Sequence, residues 1–119
     1  MSETTVEKYF SARSAHGDLG DAFIGSLRKL GEFEIRGGGP QYKAVYAATN
    51  GIIFCGTSGM ADTHWRLNQE DRAIALQSGA TESEVGNDWV RITLFRNNWP
   101  QPDLAHWALR AYSYARSQK

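Results

Sequence analysis

Cysteine occurs once in this chain of 119 residues, at Cys55, and proline only three times. A lone thiol excludes an internal disulfide framework and suits a reducing compartment, so a cytoplasmic location is expected. With only three scattered histidines, the chain also lacks the usual structural zinc patterns. Neither sign of charge is in excess, since thirteen Lys and Arg stand against thirteen Asp and Glu. That balance argues against nonspecific adhesion to nucleic acid and leaves only a local basic patch for such a role. No apolar run approaches the roughly 20 residues of a membrane span, so no membrane partner is expected. Residues 1–25 are polar and charged and read as no secretory signal. Repeats and low-complexity tracts are absent, and nothing calls for a cofactor or a metal. What remains is a chain with 41% hydrophobic residues, long enough for one domain that buries about two thirds of its unfolded surface.

Periodicity gives the organisation. Thr4 stands three residues ahead of Glu7 in a capping-box spacing, and Val6, Tyr9 and Phe10 follow at helical steps. Leu19, Phe23, Leu27 and Leu30 make a second stripe, widened by Ala22 and Ile24 and closed by Gly31. Helices are expected over 5–16 and 19–30, or as one bent helix interrupted at Gly17, with residues 1–17 as a peripheral helix. The period then drops to two. Strands are expected over 33–36, 42–49 and 52–57, with Asn50-Gly51 as a two-residue hairpin signal, and over 61–67. Asn68 reads as the cap of a short helix closed by Gly79. Strands over 81–85 and 89–96 and a last helix capped by Asp103 complete the order. The class is α+β: a mostly antiparallel sheet packed by helices, in the order α(α)-β-β-β(-β)-α-β-β-α.

Alternation also nominates site residues. Over 61–67 the side chains of Asp62, His64 and Arg66 share one face opposite Trp65. A carboxylate two residues from a histidine can orient an imidazole or help bind a metal. The plainer reading is a solvated polar face. Over 89–96, Val90, Ile92 and Leu94 belong to the core, while Trp89, Arg91, Thr93 and Phe95 take the other face. Aromatics beside an arginine suit an interface or a stacking platform, unless a helix or loop covers them. Self-association through that open face makes a homodimer the expected assembly. Cys55 reads as a buried, inert thiol. The runs Gly37-Gly38-Gly39 and Gly56-Thr57-Ser58-Gly59 read as turns rather than phosphate cradles, and Ser58 lacks the elbow context of a hydrolase nucleophile.

The stretch from Gly51 to Arg116 resembles the small domains of the YjbR/MmcQ type and the N-terminal domain of TfoX. The likeness runs through Asn50-Gly51-Ile52-Ile53-Phe54-Cys55-Gly56, then Ala61-Asp62, Arg66-Leu67 and Gln69-Glu70-Asp71. It closes with Asp88-Trp89-Val90-Arg91-Ile92 and the Asp103–Ala115 helix that carries Trp107 and Tyr112. A domain labelled luciferase-like ends in a similar Trp-Val strand and helix. Where TfoX-type domains carry Met-Phe-Gly-Gly on the first hairpin, this chain has Gly37-Gly38-Gly39-Pro40. The resemblance implies a secretion-chaperone-like fold, a DNA-binding label on the YjbR side, and no catalytic residue.

Two functional expectations follow. One is a non-catalytic binding module that contacts a protein or nucleic acid through a sheet face, with Arg36, Arg66, Arg91 and Arg96 as cations and Trp89 and Phe95 as anchors. The other is a small-molecule site or weak enzyme in which Asp62 and His64 form an acid/base pair and Arg66 or Arg91 holds an anion.

Overall fold

The structure is a computed structural model and describes residues 3–39, 41–94 and 102–118. Two helices, α1 (Glu3–Ser11) and α2 (Gly17–Ser26), precede four strands: β1 (Glu34–Gly37), β2 (Val45–Thr49), β3 (Ile52–Ser58) and β4 (Asp62–Arg66). Helix α3 (Gln69–Gln77), strands β5 (Thr81–Glu82) and β6 (Trp89–Thr93), and helix α4 (Leu104–Arg116) complete the chain. The strands form one sheet in the order β1-β2-β3-β4-β6-β5, antiparallel at every pairing. The α+β class and the expected element order are therefore observed. Among the described residues no helix is long and apolar enough to cross a membrane.

Local signals account for the boundaries. Asn50 and Gly51 both take positive φ, 54° and 76°, and close the β2–β3 hairpin with Thr49 opposite Ile52. That is the backbone a two-residue turn needs to match strand twist. Asn68 caps α3 by accepting the Asp71 N–H at 2.8 Å, and Asp103 caps α4 by accepting the His106 N–H. The first helices are shorter than the periodicity suggests. Helix α1 stops at Ser11, and Arg13 to His16 instead run as an extended strut between two loops. The capping box does not form, because Glu7 reaches across to Arg36 and the Tyr46 hydroxyl.

Two cores lie on the two sides of the sheet. The larger is covered by α2, α3 and α4: Leu19, Phe23 and Leu27, then Ala75, then Leu104, Trp107, Ala108, Ala111 and Ala115 pack on Val45, Ala47, Phe54, Trp65, Val90 and Ile92. The spacing along α4 is one helical stripe, and its three alanines let the helix sit close to the strands. A bulge makes Phe54 the extra residue between the Cys55 and Ile53 pairings, so Phe54 and Cys55 both face this core. Cys55 is fully enclosed, and burial pushes its thiol well above the ordinary value.

The smaller core lies under α1 alone: Val6 and Phe10 meet Tyr46, Ala48, Ile53, Val85 and Trp89. Gly56 belongs to β3 rather than to a turn, and a Cβ there would overlap the Phe10 ring. Its missing side chain is the socket for Phe10. Strand β5 is two residues long rather than five, because the chain turns inward after Glu82 and buries Ser83 and Val85.

Candidate functional site

Alternation along β4 and β6 places Asp62, His64, Arg66, Trp89 and Arg91 on the α1 side of the sheet, as their spacing requires. The surroundings differ from the expectation. Trp89 is fully buried, with the Phe10 ring 5.8 Å away, so among the described residues that face offers no open aromatic ring for a second copy to use. The helix over Glu3–Ser11 covers it. Phe95 and Arg96, the remaining members of that proposed surface, lie outside the described residues.

His64 is not on a solvated face either, since it has no exposed surface. Its Nε2 lies 2.8 Å from Ser58 Oγ and its Nδ1 2.8 Å from Ser83 Oγ. A neutral imidazole has one donor and one acceptor nitrogen, and a hydroxyl can serve either. The Tyr9 and Phe10 rings close the site edge-on at 5.6 and 5.9 Å. Burial drives the imidazole pKa down to about 4, against smaller upward pulls from Glu84 and Asp62. Asp62 is engaged elsewhere, accepting the Thr93 hydroxyl at 2.7 Å. The expected acid/base pair is thus two groups with separate partners, and the imidazole has no nitrogen left for a substrate.

The arginines are likewise committed. Arg66 spans Glu3 at 2.7 Å and Asp88 at 2.9 Å with little side-chain exposure. Arg36 spans Glu34 at 2.6 Å and Glu7 at 3.2 Å. Tyr46 donates to the same Glu7, and burial followed by that carboxylate raises its phenol to about 12. Arg91 donates to the Thr81 hydroxyl. Arg66 fastens the first turn of α1 to the sheet and Arg36 its middle, which is a structural use of charge.

The exposed apolar surface lies elsewhere. Of the six large hydrophobic side chains described as exposed, Ile24, Ile35, Tyr42 and Met60 gather at one end of the molecule. Ile24, Ile35 and Tyr42 line a cleft of about 280 Å³ beside the glycine run. Tyr42 also lines a second cleft of about 330 Å³ with Met60, His16 and Ala15. The strut from α1 to α2 builds this end. Its Ala15 N–H donates to the Tyr42 carbonyl at 2.8 Å and its His16 N–H to the Gly59 carbonyl at 2.9 Å. Gly59 in turn donates to Ser14, and Ala44 donates to Arg13. Tyr42 holds φ at 56°, an uncommon region for an aromatic residue, and its side chain reaches out past Gly17 with 66% exposure.

Sequence reasoning missed this surface, reading Tyr42 as the start of a strand and Ile24 as core. One signal was present: Ile24 follows Phe23 and so falls off the Leu19–Phe23–Leu27 stripe that the core takes. Nothing local marks Met60. No family model matches the chain, and neither a curated protein nor a solved structure is significantly similar to it.

Proposed function

We propose that the chain is a non-catalytic module that binds a partner protein, and that the partner seats an apolar side chain between Tyr42 and Met60. One observation carries this reading: Tyr42 is held in left-handed backbone with its ring on display, beside a Met60 that is 71% exposed. Strained backbone of this kind persists only where the surroundings enforce it, and it concentrates at ligand-contacting positions. Here the enforcing bonds are those of Ala15 and His16 to the two loops. A rigid tyrosine contributes large contact area at small entropic cost, and a methionine adapts to the shape it meets. The absence of a catalytic residue in the YjbR- and TfoX-type resemblance points the same way. Commitment of Arg36 and Arg66 to carboxylates weighs against a nucleic-acid partner, and enclosure of His64 weighs against the acid/base reading.

The test replaces Met60 with a photo-crosslinking amino acid in cells. One discrete crosslinked protein is expected, lost when Tyr42→Ala is added. Once purified, that protein should bind the Tyr42→Ala chain at least about tenfold more weakly, as for an interface anchor. An identical crosslinking pattern with and without Tyr42 overturns the proposal.

A further inference from the structure

Next to that surface the sheet ends in β1, whose outer edge pairs with nothing among the described residues. We infer that this edge joins a second copy of the chain, antiparallel about a two-fold axis through Ile35, continuing the sheet across the dimer. The inference stands apart from the Tyr42–Met60 reading and uses different residues.

The ladder shows which groups are free. The Gly38 N–H donates to the Ala44 carbonyl at 3.1 Å, continuing the register that sets Gly37 against Val45 and Arg36 against Tyr46. Hydrogen-bonded and non-bonded pairs alternate in an antiparallel ladder. Arg36 and Glu34 therefore turn their backbone groups inward to β2, and the N–H and carbonyl of Ile35 point off the edge. A two-fold axis at Ile35 lets those groups pair with their own copies.

Side chains complement each other under the same operation. It sets Ile35 against Ile35 on the α2 side, where Ile24 lines the same cleft. On the α1 side it sets Glu34 of each protomer against Arg36 of the other. The Glu34 side chain is 60% exposed, so its carboxylate can accept a second guanidinium beyond its own Arg36. Edge strands that avoid pairing are very short or bulged, or carry lysine, proline or inward-pointing charges. This edge instead carries one acid, one apolar residue and one base in a self-complementary order, and Ile35 is 41% exposed. The opposite edge, β5, has only two residues and offers no comparable length. An interface mapped onto itself is the requirement for a closed two-fold dimer.

Sedimentation analysis of the intact chain tests this. A dimer is expected, weakened at least about tenfold by Glu34→Arg, which puts two arginine pairs where two ion pairs stood, and also by Ile35→Lys. Circular dichroism should be unchanged in both variants, and Tyr42→Ala should leave the dimer intact, which separates this inference from the partner site. Under mild oxidation Ile35→Cys should link covalently to its copy, while Ile74→Cys, at a comparably exposed position, should not. A wild-type chain that stays monomeric up to about 1 mM, a dimer indifferent to both edge variants, or equal crosslinking at positions 35 and 74 overturns the inference.

Discussion

The two sides of the sheet are held by different physics. Three helices cover one side with a continuous apolar layer in which the buried polar atoms are satisfied: Trp65 Nε1 donates to Thr63 Oγ1 at 2.8 Å, and that hydroxyl donates to the Ile92 carbonyl at 2.8 Å. The other side has one helix of nine residues over a mixture of apolar, polar and ionised groups. It is held by one ring in one socket, two ion-pair clasps and a serine–histidine–serine chain. It also contains Trp89 Nε1, the one buried side-chain polar atom described as lacking a hydrogen-bond partner. A wide layer tolerates local loss, because neighbouring helices share the packing. A single-helix cover concentrates its stability in a few contacts, so those contacts are where the comparison breaks first.

The largest effect is expected at Phe10. Its ring fills the space over Gly56 and touches Tyr46, Trp89 and His64. Truncation to alanine should cost about 3–5 kcal/mol, the usual range for a fully buried aromatic, measured by urea denaturation. Gly56→Ala should also destabilise the wild type, by about 1–3 kcal/mol, because its Cβ overlaps the ring. With Phe10→Ala already made, the same Gly56→Ala should cost almost nothing. Strong non-additivity in that double-mutant cycle establishes the socket. Additive costs would mean that α1 rests on other contacts.

What was legible in the sequence follows the same division. Signals confined to a few residues gave correct elements: the Asn50-Gly51 turn, the Asn68 and Asp103 caps, and the alternation that sends Val90, Ile92 and Leu94 to the core. Strand alternation also sorted Asp62, His64 and Arg66 onto a common face. It could not say whether that face meets water or a helix, because the covering helix lies 29 to 63 residues away from its ion-pair partners. Glu7 illustrates the competition. Its spacing to Thr4 fits a local cap, yet Arg36 and Tyr46 offer it a cation and a phenol together, and the tertiary arrangement wins. The Tyr42–Met60 surface was invisible for a similar reason. It exists only because Arg13 to His16 run between two distant loops.

The second test acts on the polar chain under α1. The fold holds the His64 pKa near 4, and an unfolded chain returns it to about 6.5. Between those values the unfolded chain binds a proton that the folded one excludes. Stability from this residue is therefore complete above about pH 6.5 and is lost as the pH falls to 4, by roughly 3 kcal/mol in total. In His64→Gln that part of the pH dependence should vanish. Denaturation midpoints measured from pH 7.5 to 4 check this. Parallel curves for wild type and variant would show that His64 titrates normally and is not enclosed.

The finest contrast sets two fully enclosed tryptophans, one on each side of the sheet, against each other. Trp65 and Trp89 are both fully buried, so Trp→Phe at either site removes the same atoms from a closed space. The volume lost is equal, and the indole N–H is what differs. At Trp65 the change deletes a made hydrogen bond and leaves Thr63 Oγ1 without its donor. At Trp89 it deletes a donor that had no acceptor, which recovers part of the cost of the smaller ring. Trp65→Phe should therefore destabilise the protein by roughly 2 kcal/mol more than Trp89→Phe, read as a difference in urea midpoints at constant slope. Should the two variants fall together, the Trp89 N–H is as well satisfied as that of Trp65, and the polar side of the sheet is better resolved energetically than its hydrogen bonds suggest.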